Sequence, residues 1–86
     1  MNIYYSPHFI QRLKKRIKKN PKLKSKIHKQ VKLFRSNPIH PSLRLHKLKG
    51  KRLDQYSFWI EGDLRIAFVK KIGDIIFTDI LTHDEY

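Results

Sequence analysis

Two kinds of hydrophobic periodicity divide this chain. Phe9, Ile10, Leu13 and Ile17 recur at helical spacing, with Arg12, Lys14, Lys15, Arg16, Lys18 and Lys19 around them. That pattern is one apolar stripe on an otherwise basic helix. Ser6-Pro7 supplies its start, a serine at the N-cap and a proline at the first helical position, and the short β-prone run Ile3 to Tyr5 precedes it. Asn20-Pro21 repeats the cap-plus-proline signal, and Leu23, Ile27, Val31 and Phe34 follow at spacings of four, four and three. A second basic helix is therefore expected to fold back on the first across a tight corner. Asn37-Pro38 stops it, and Asn37 to Ser42, with two prolines, reads as a loop.

Beyond that loop the period becomes two. Leu43, Leu45 and Lys47 alternate with Arg44, His46 and Leu48 in a weak strand ending at Gly50. Tyr56 to Ile60, Leu64 to Val69 and Ile75 to Leu81 read as further strands, separated by turns at Glu61-Gly62-Asp63 and Lys71-Ile72-Gly73-Asp74. The order is β-α-α-β-β-β-β, an α+β fold with a helical hairpin on one face of a mostly antiparallel sheet. With 86 residues the chain is one domain, 1–86, and a chain this short buries only about 60 to 65% of its unfolded surface.

The hairpin Tyr56 to Val69 places Arg65 among apolar neighbours. An arginine in such a strand usually has an anion to meet. A two-residue loop would put Tyr56 and Phe58 on its face, whereas a three-residue Glu61-Gly62-Asp63 loop would put Ser57 and Trp59 there. Either way an aromatic ring neighbours the cation, which suits base stacking beside a phosphate clamp. The simpler expectation for Trp59 is a place in the core.

Charge sharpens this picture. Residues 1 to 53 hold 17 Lys/Arg and no acid, and residues 54 to 86 hold 3 Lys/Arg and all 7 acids, for a net charge of +13. The asymmetry fits a polyanionic partner, nucleic acid first, an acidic protein second and an anionic membrane surface third. With no cysteine, disulfides and thiolate chemistry are excluded, in keeping with a reducing cytoplasm. The longest apolar run, Ile66 to Val69, falls far short of the ~20 residues of a membrane span, and the N-terminus has no signal-peptide pattern.

RNA cleavage without a metal or other cofactor needs a base for the 2'-hydroxyl proton, an acid for the departing 5'-oxygen, and cations on the phosphoryl oxygens. Histidine is the natural acid or base and arginine the natural bidentate phosphate partner. His46, His83 and Arg65 supply these groups, with Arg44, Lys47, Lys49, Lys51 and Arg52 as further RNA-binding cations. His8, His28 and His40 read as ordinary surface or core side chains.

The runs His-Lys-Leu-Lys-Gly (46 to 50), Tyr-Ser-Phe-Trp-Ile (56 to 60), Asp-Leu-Arg-Ile-Ala-Phe (63 to 68) and Ile-Phe-Thr-Asp-Ile-Leu-Thr-His-Asp-Glu-Tyr (76 to 86) resemble the RelE/ParE superfamily of toxins. They are most similar to its RelE/StbE and YafQ-like branch. The resemblance implies a RelE-like fold and an mRNA endonuclease, commonly acting in the ribosomal A site. It also implies a cognate antitoxin as partner, the pair often forming a higher oligomer. Under it, Arg65 clamps the scissile phosphate, His83 is the general acid, His46 or Asp63 acts as or helps the base, and Tyr86 stacks on or orients a nucleotide. Asp63 also suits plain turn chemistry. Two other readings stand beside the nuclease: a ParE-like inhibitor of DNA gyrase, and a non-catalytic RNA-binding module.

Overall fold

The computed structural model describes residues 1–50 and 54–82. Among these, β1 (Asn2–Tyr5), α1 (Pro7–Lys19), α2 (Leu23–Ser36), β2 (His46–Lys47), β3 (Tyr56–Glu61), β4 (Leu64–Lys71) and β5 (Asp74–Leu81) follow in that order, with a 3₁₀ turn at Pro41–Leu43. The sheet order is β1-β5-β4-β3-β2. β1 runs parallel to β5, and every other neighbour is antiparallel. This is the expected α+β arrangement, two helices on a mostly antiparallel sheet.

The Ser6 cap forms as its sequence predicts. Its hydroxyl accepts from the Phe9 amide at 3.1 Å and donates to the Thr78 carbonyl at 3.2 Å, so the helix start is also tied to β5. The second cap differs from expectation. Asn20-Pro21 closes a turn in which the Leu23 and Lys24 amides bond back to the Asn20 and Pro21 carbonyls, and α2 starts at Leu23 with no side-chain cap. The strand expected from Leu43 to Gly50 shrinks to His46–Lys47, because Pro41 bends the preceding residues into the 3₁₀ turn.

The core lies between the helices and one sheet face. Phe9, Leu23, Ile27 and Phe34 meet Phe58, Ile60, Leu64, Ile66, Phe68, Ile75, Phe77 and Ile80. Phe34 is its centre, stacked on Phe58 at 4.5 Å and edge-on to Phe68 at 5.0 Å between centroids. Ile10, expected on the apolar stripe, is partly solvent-exposed. A smaller cluster, Leu48, Ala67 and Leu81, forms apart from this core.

β1 pairs with β5 only as far as Phe77, and beyond it the open edge of β5 is met by α1. Arg12 Nε reaches the Ile80 carbonyl at 3.3 Å and Asp79 Oδ1 at 2.8 Å. His8 Nε2 lies 3.1 Å from Asp79 Oδ2, and the Ile80 amide donates to Oδ1 at 2.8 Å. A buried carboxylate is tolerable there because each oxygen has a partner.

Two substitutions test this packing by urea unfolding. Phe34→Ala should cost about 4 kcal/mol by emptying the centre of the aromatic cluster. Arg12→Ala should cost about 3 kcal/mol, because it leaves the Asp79 carboxylate buried without its guanidinium.

Candidate active site

A bulge in the β3–β4 hairpin sets which side chains share a face. Glu61 stands opposite Leu64 around a two-residue Gly62-Asp63 turn, yet the register shifts between Trp59 and Glu61, so Trp59 stands opposite Arg65. The extra residue is Ile60, whose side chain is fully buried. The loop is thus the short one, and the bulge produces the face expected of the longer one. Gly62, at φ 52, takes the left-handed conformation that the turn needs.

Arg65, Ser57 and Ala67 alternate with the core residues and lie on the face away from the helices. His46 joins them from β2, directly opposite Ser57. There Arg65 Nη1 donates to the Arg44 carbonyl at 3.3 Å and lies 3.4 Å from His46 Nδ1. His46 Nδ1 is itself 3.2 Å from the same carbonyl. Arg44 holds a left-handed backbone, φ 48 and ψ 46, as it closes the 3₁₀ turn. For a residue with a Cβ this is an unfavoured conformation.

Trp59 completes the group and corrects its expected place in the core: it is only half-buried. Its ring carries the Arg44 guanidinium at 4.2 Å and has Lys26 Nζ at 5.4 Å, and its Nε1–H donates to the Gly62 carbonyl at 2.8 Å. Beneath it, buried Gln30 of α2 donates to the Trp59 carbonyl at 2.9 Å, pinning β3 at the bulge. Gln30 was not among the residues singled out from the sequence, and the signal that could have found it is a polar residue seven positions after Leu23 and four before Phe34, on their helix face. Arg44 was read only as an RNA-binding cation, and no sequence signal pointed to its carbonyl.

Of the other candidates, Lys47 and Lys49 are exposed on and just after β2. Asp63 is exposed in the turn two residues before Arg65. Leu81 stands opposite Arg65 across β4 and β5. His83, Tyr86, Lys51 and Arg52 lie outside the described residues. His28 is exposed, and His40 caps the 3₁₀ turn by accepting from the Ser42 amide at 3.1 Å.

Among the described residues Arg65 thus meets a carbonyl and an imidazole and no carboxylate. Guanidinium beside imidazole on an exposed, basic face can grip a phosphodiester and exchange a proton next to it.

The same arrangement of helices and strands recurs in solved structures. YafQ from E. coli superposes with a TM-score of 0.79 at 20% identity, over 96% of this chain and 93% of YafQ. The chain has the RelE/YafQ-like toxin fold. A YoeB/ParE toxin from Agrobacterium tumefaciens shares this fold at TM-score 0.77 and 14% identity, over 96% of this chain and 99% of that one. The YoeB dimer from Staphylococcus aureus does so at 0.72 and 23%, over 96% and 97%. E. coli YafQ also has this fold in its DinJ-YafQ toxin-antitoxin complex, at TM-score 0.78 and 20% identity, over 96% of this chain and 92% of that one. No protein-family model matches the sequence, and a search of curated proteins finds no relative.

Trp59 is the single tryptophan and so reports on the site. Arg44→Ala should raise its accessibility to acrylamide quenching while lowering stability by no more than about 1 kcal/mol.

Proposed function

We propose that this protein is the toxin of a toxin-antitoxin pair and an endoribonuclease that cleaves mRNA through the RNA's own 2'-hydroxyl. The observation that carries the reading is Arg65, with no carboxylate partner among the described residues, 3.4 Å from the His46 imidazole on a face of the RelE/YafQ-like fold. Arg65 grips the scissile phosphate. His46, or Asp63 in the turn two residues before Arg65, takes the 2'-hydroxyl proton as O2' bonds to phosphorus. The bond from phosphorus to O5' then breaks, and His83 gives its proton to the departing oxygen. A cyclic phosphate, or the 3'-phosphate formed from it by water, remains. No metal is needed, because the nucleophile is already part of the substrate and the guanidinium offsets the growing charge. Tyr86 orients the nucleotide.

Arg44, Lys47, Lys49, Lys51 and Arg52 extend the phosphate track, and the exposed lysines of α1 and α2 engage ribosomal RNA. Sequence-independent contacts of this kind supply affinity, and positioning on the ribosome supplies the cleavage site. A cognate antitoxin binds the protein and covers the basic face; the DinJ-YafQ toxin-antitoxin complex supports the binding. No helix among the described residues is long and apolar enough to cross a membrane, and the site of action we propose is the cytoplasm. A second reading, inhibition of DNA gyrase, is kept by the Agrobacterium neighbour described as YoeB/ParE.

The test is cleavage of mRNA, naked and ribosome-loaded, in excess chelator. Arg65→Ala should slow cutting about 100- to 1,000-fold. His83→Ala and His46→Ala should each slow it about 100- to 10,000-fold. Cleavage of ribosome-bound message alone would establish ribosome dependence. An inert wild type that blocks gyrase supercoiling would replace the nuclease reading with the second one.

A further inference from the structure

Three groups meet at one point, and one of them, His46 Nδ1, can be a donor or an acceptor but not both. The Arg44 carbonyl is within hydrogen-bond distance of both Arg65 Nη1, at 3.3 Å, and His46 Nδ1, at 3.2 Å. His46 Nδ1 is also 3.4 Å from Arg65 Nη1. Nδ1 cannot satisfy both neighbours in one state. To accept from Arg65 it must be bare, which places the proton of a neutral ring on Nε2. To bond the carbonyl it must carry the proton, which leaves Nε2 bare and turns an N–H toward Arg65. The guanidinium has no such choice, since every one of its groups is a donor.

We propose that Arg65 and His46 form an interlock around the Arg44 carbonyl, in which seating a phosphodiester on Arg65 hands that carbonyl to His46 Nδ1–H and exposes Nε2 as a base. With no anion present, Nη1 bridges the carbonyl and Nδ1, and the ring is held as its Nε2–H tautomer, unable to take a proton there. A phosphate draws the guanidinium away, because two charge-assisted bonds to phosphoryl oxygens are stronger than two long bonds to neutral acceptors. Nδ1 then takes a proton from water and bonds the carbonyl while Nε2 releases one to water, with no net change in charge. Arg44 thereby acts as a positioning residue through its backbone. Its left-handed φ of 48 aims the carbonyl at the pair, and the stack of its side chain on Trp59 at 4.2 Å helps to hold that conformation.

The use of Nε2 as a base rests on the nuclease reading, but the interlock itself does not, and it is measured without cleavage. Long-range ¹H–¹⁵N correlation spectra of imidazole-labelled protein in alkaline buffer, where an imidazole is neutral, distinguish the two tautomers of His46. Wild type should be mostly Nε2–H. Arg65→Ala, and Arg65→Met as a variant that keeps the length of the side chain, should be mostly Nδ1–H with no ligand added. Wild type saturated with an uncleavable 2'-O-methyl RNA oligonucleotide should move the same way. The same tautomer in wild type and in both variants would overturn the interlock. So would a wild-type ring that is Nδ1–H before any ligand is added, or one that does not change on saturation. A tautomer exchange in a protein that cuts no RNA would uphold the interlock and overturn the nuclease reading instead.

Discussion

The stack of Phe34 on Phe58 is the contact on which the site depends, although neither ring belongs to it. It seats α2 over β3 with the two ring planes 13° apart and their centroids at 4.5 Å. One turn earlier on the same helix face, Gln30 then reaches the Trp59 carbonyl. That bond pins the strand where Ile60 is squeezed into the bulge, and the bulge puts Trp59 opposite Arg65. From the paired Trp59 the geometry runs outward to the Arg44 guanidinium on its ring. Behind that lies the Arg44 carbonyl, shared by Arg65 and His46. A packing decision on one face of the sheet becomes a chemical arrangement on the other.

The two faces divide the work. Helices and aromatic rings close one face, where an exchange of water for hydrocarbon supplies the stability. The other face carries the small buried cluster of Leu48, Ala67 and Leu81 beside the polar group. Charge is distributed accordingly. The buried carboxylate Asp79 is matched by Arg12 and His8, whereas Arg65, among the described residues, meets a carbonyl and an imidazole. A guanidinium paired with a buried carboxylate is a structural device, and one that meets a carbonyl and an imidazole suits an incoming anion.

The helices carry a tension that the core must overcome. Neither has an acid in its first turn, and α2, with Lys22 as its N-cap residue and Lys24 in its first turn, has no side-chain cap. Cations there oppose the helix dipole, while Arg16, Lys18, Lys19 and Arg35 in the last turns favour it. Burial of Leu23, Ile27 and Phe34 offsets the unfavourable end.

The elements themselves were legible because local physics specifies them. The Ser6-Pro7 cap, the stripe Leu23-Ile27-Phe34 and the alternating runs at 56–60, 64–69 and 75–81 each obey a rule that acts within a few residues. Arg65 stood out for the same reason, as a cation in an apolar strand. Local rules could not decide the loop alternatives, because the bulge at Ile60 lies where Gln30 of α2 meets the strand, and they misplaced Trp59, which stands opposite Arg65 on the face away from the core. Nor could they show that the Arg44 carbonyl would meet His46 and Arg65, two and twenty-one positions away. The sequence by itself determined the fold class, the basic charge and the candidate residues of the site. Only tertiary structure decided which of them share a hydrogen bond, because that depends on distances between strands rather than on spacing along the chain.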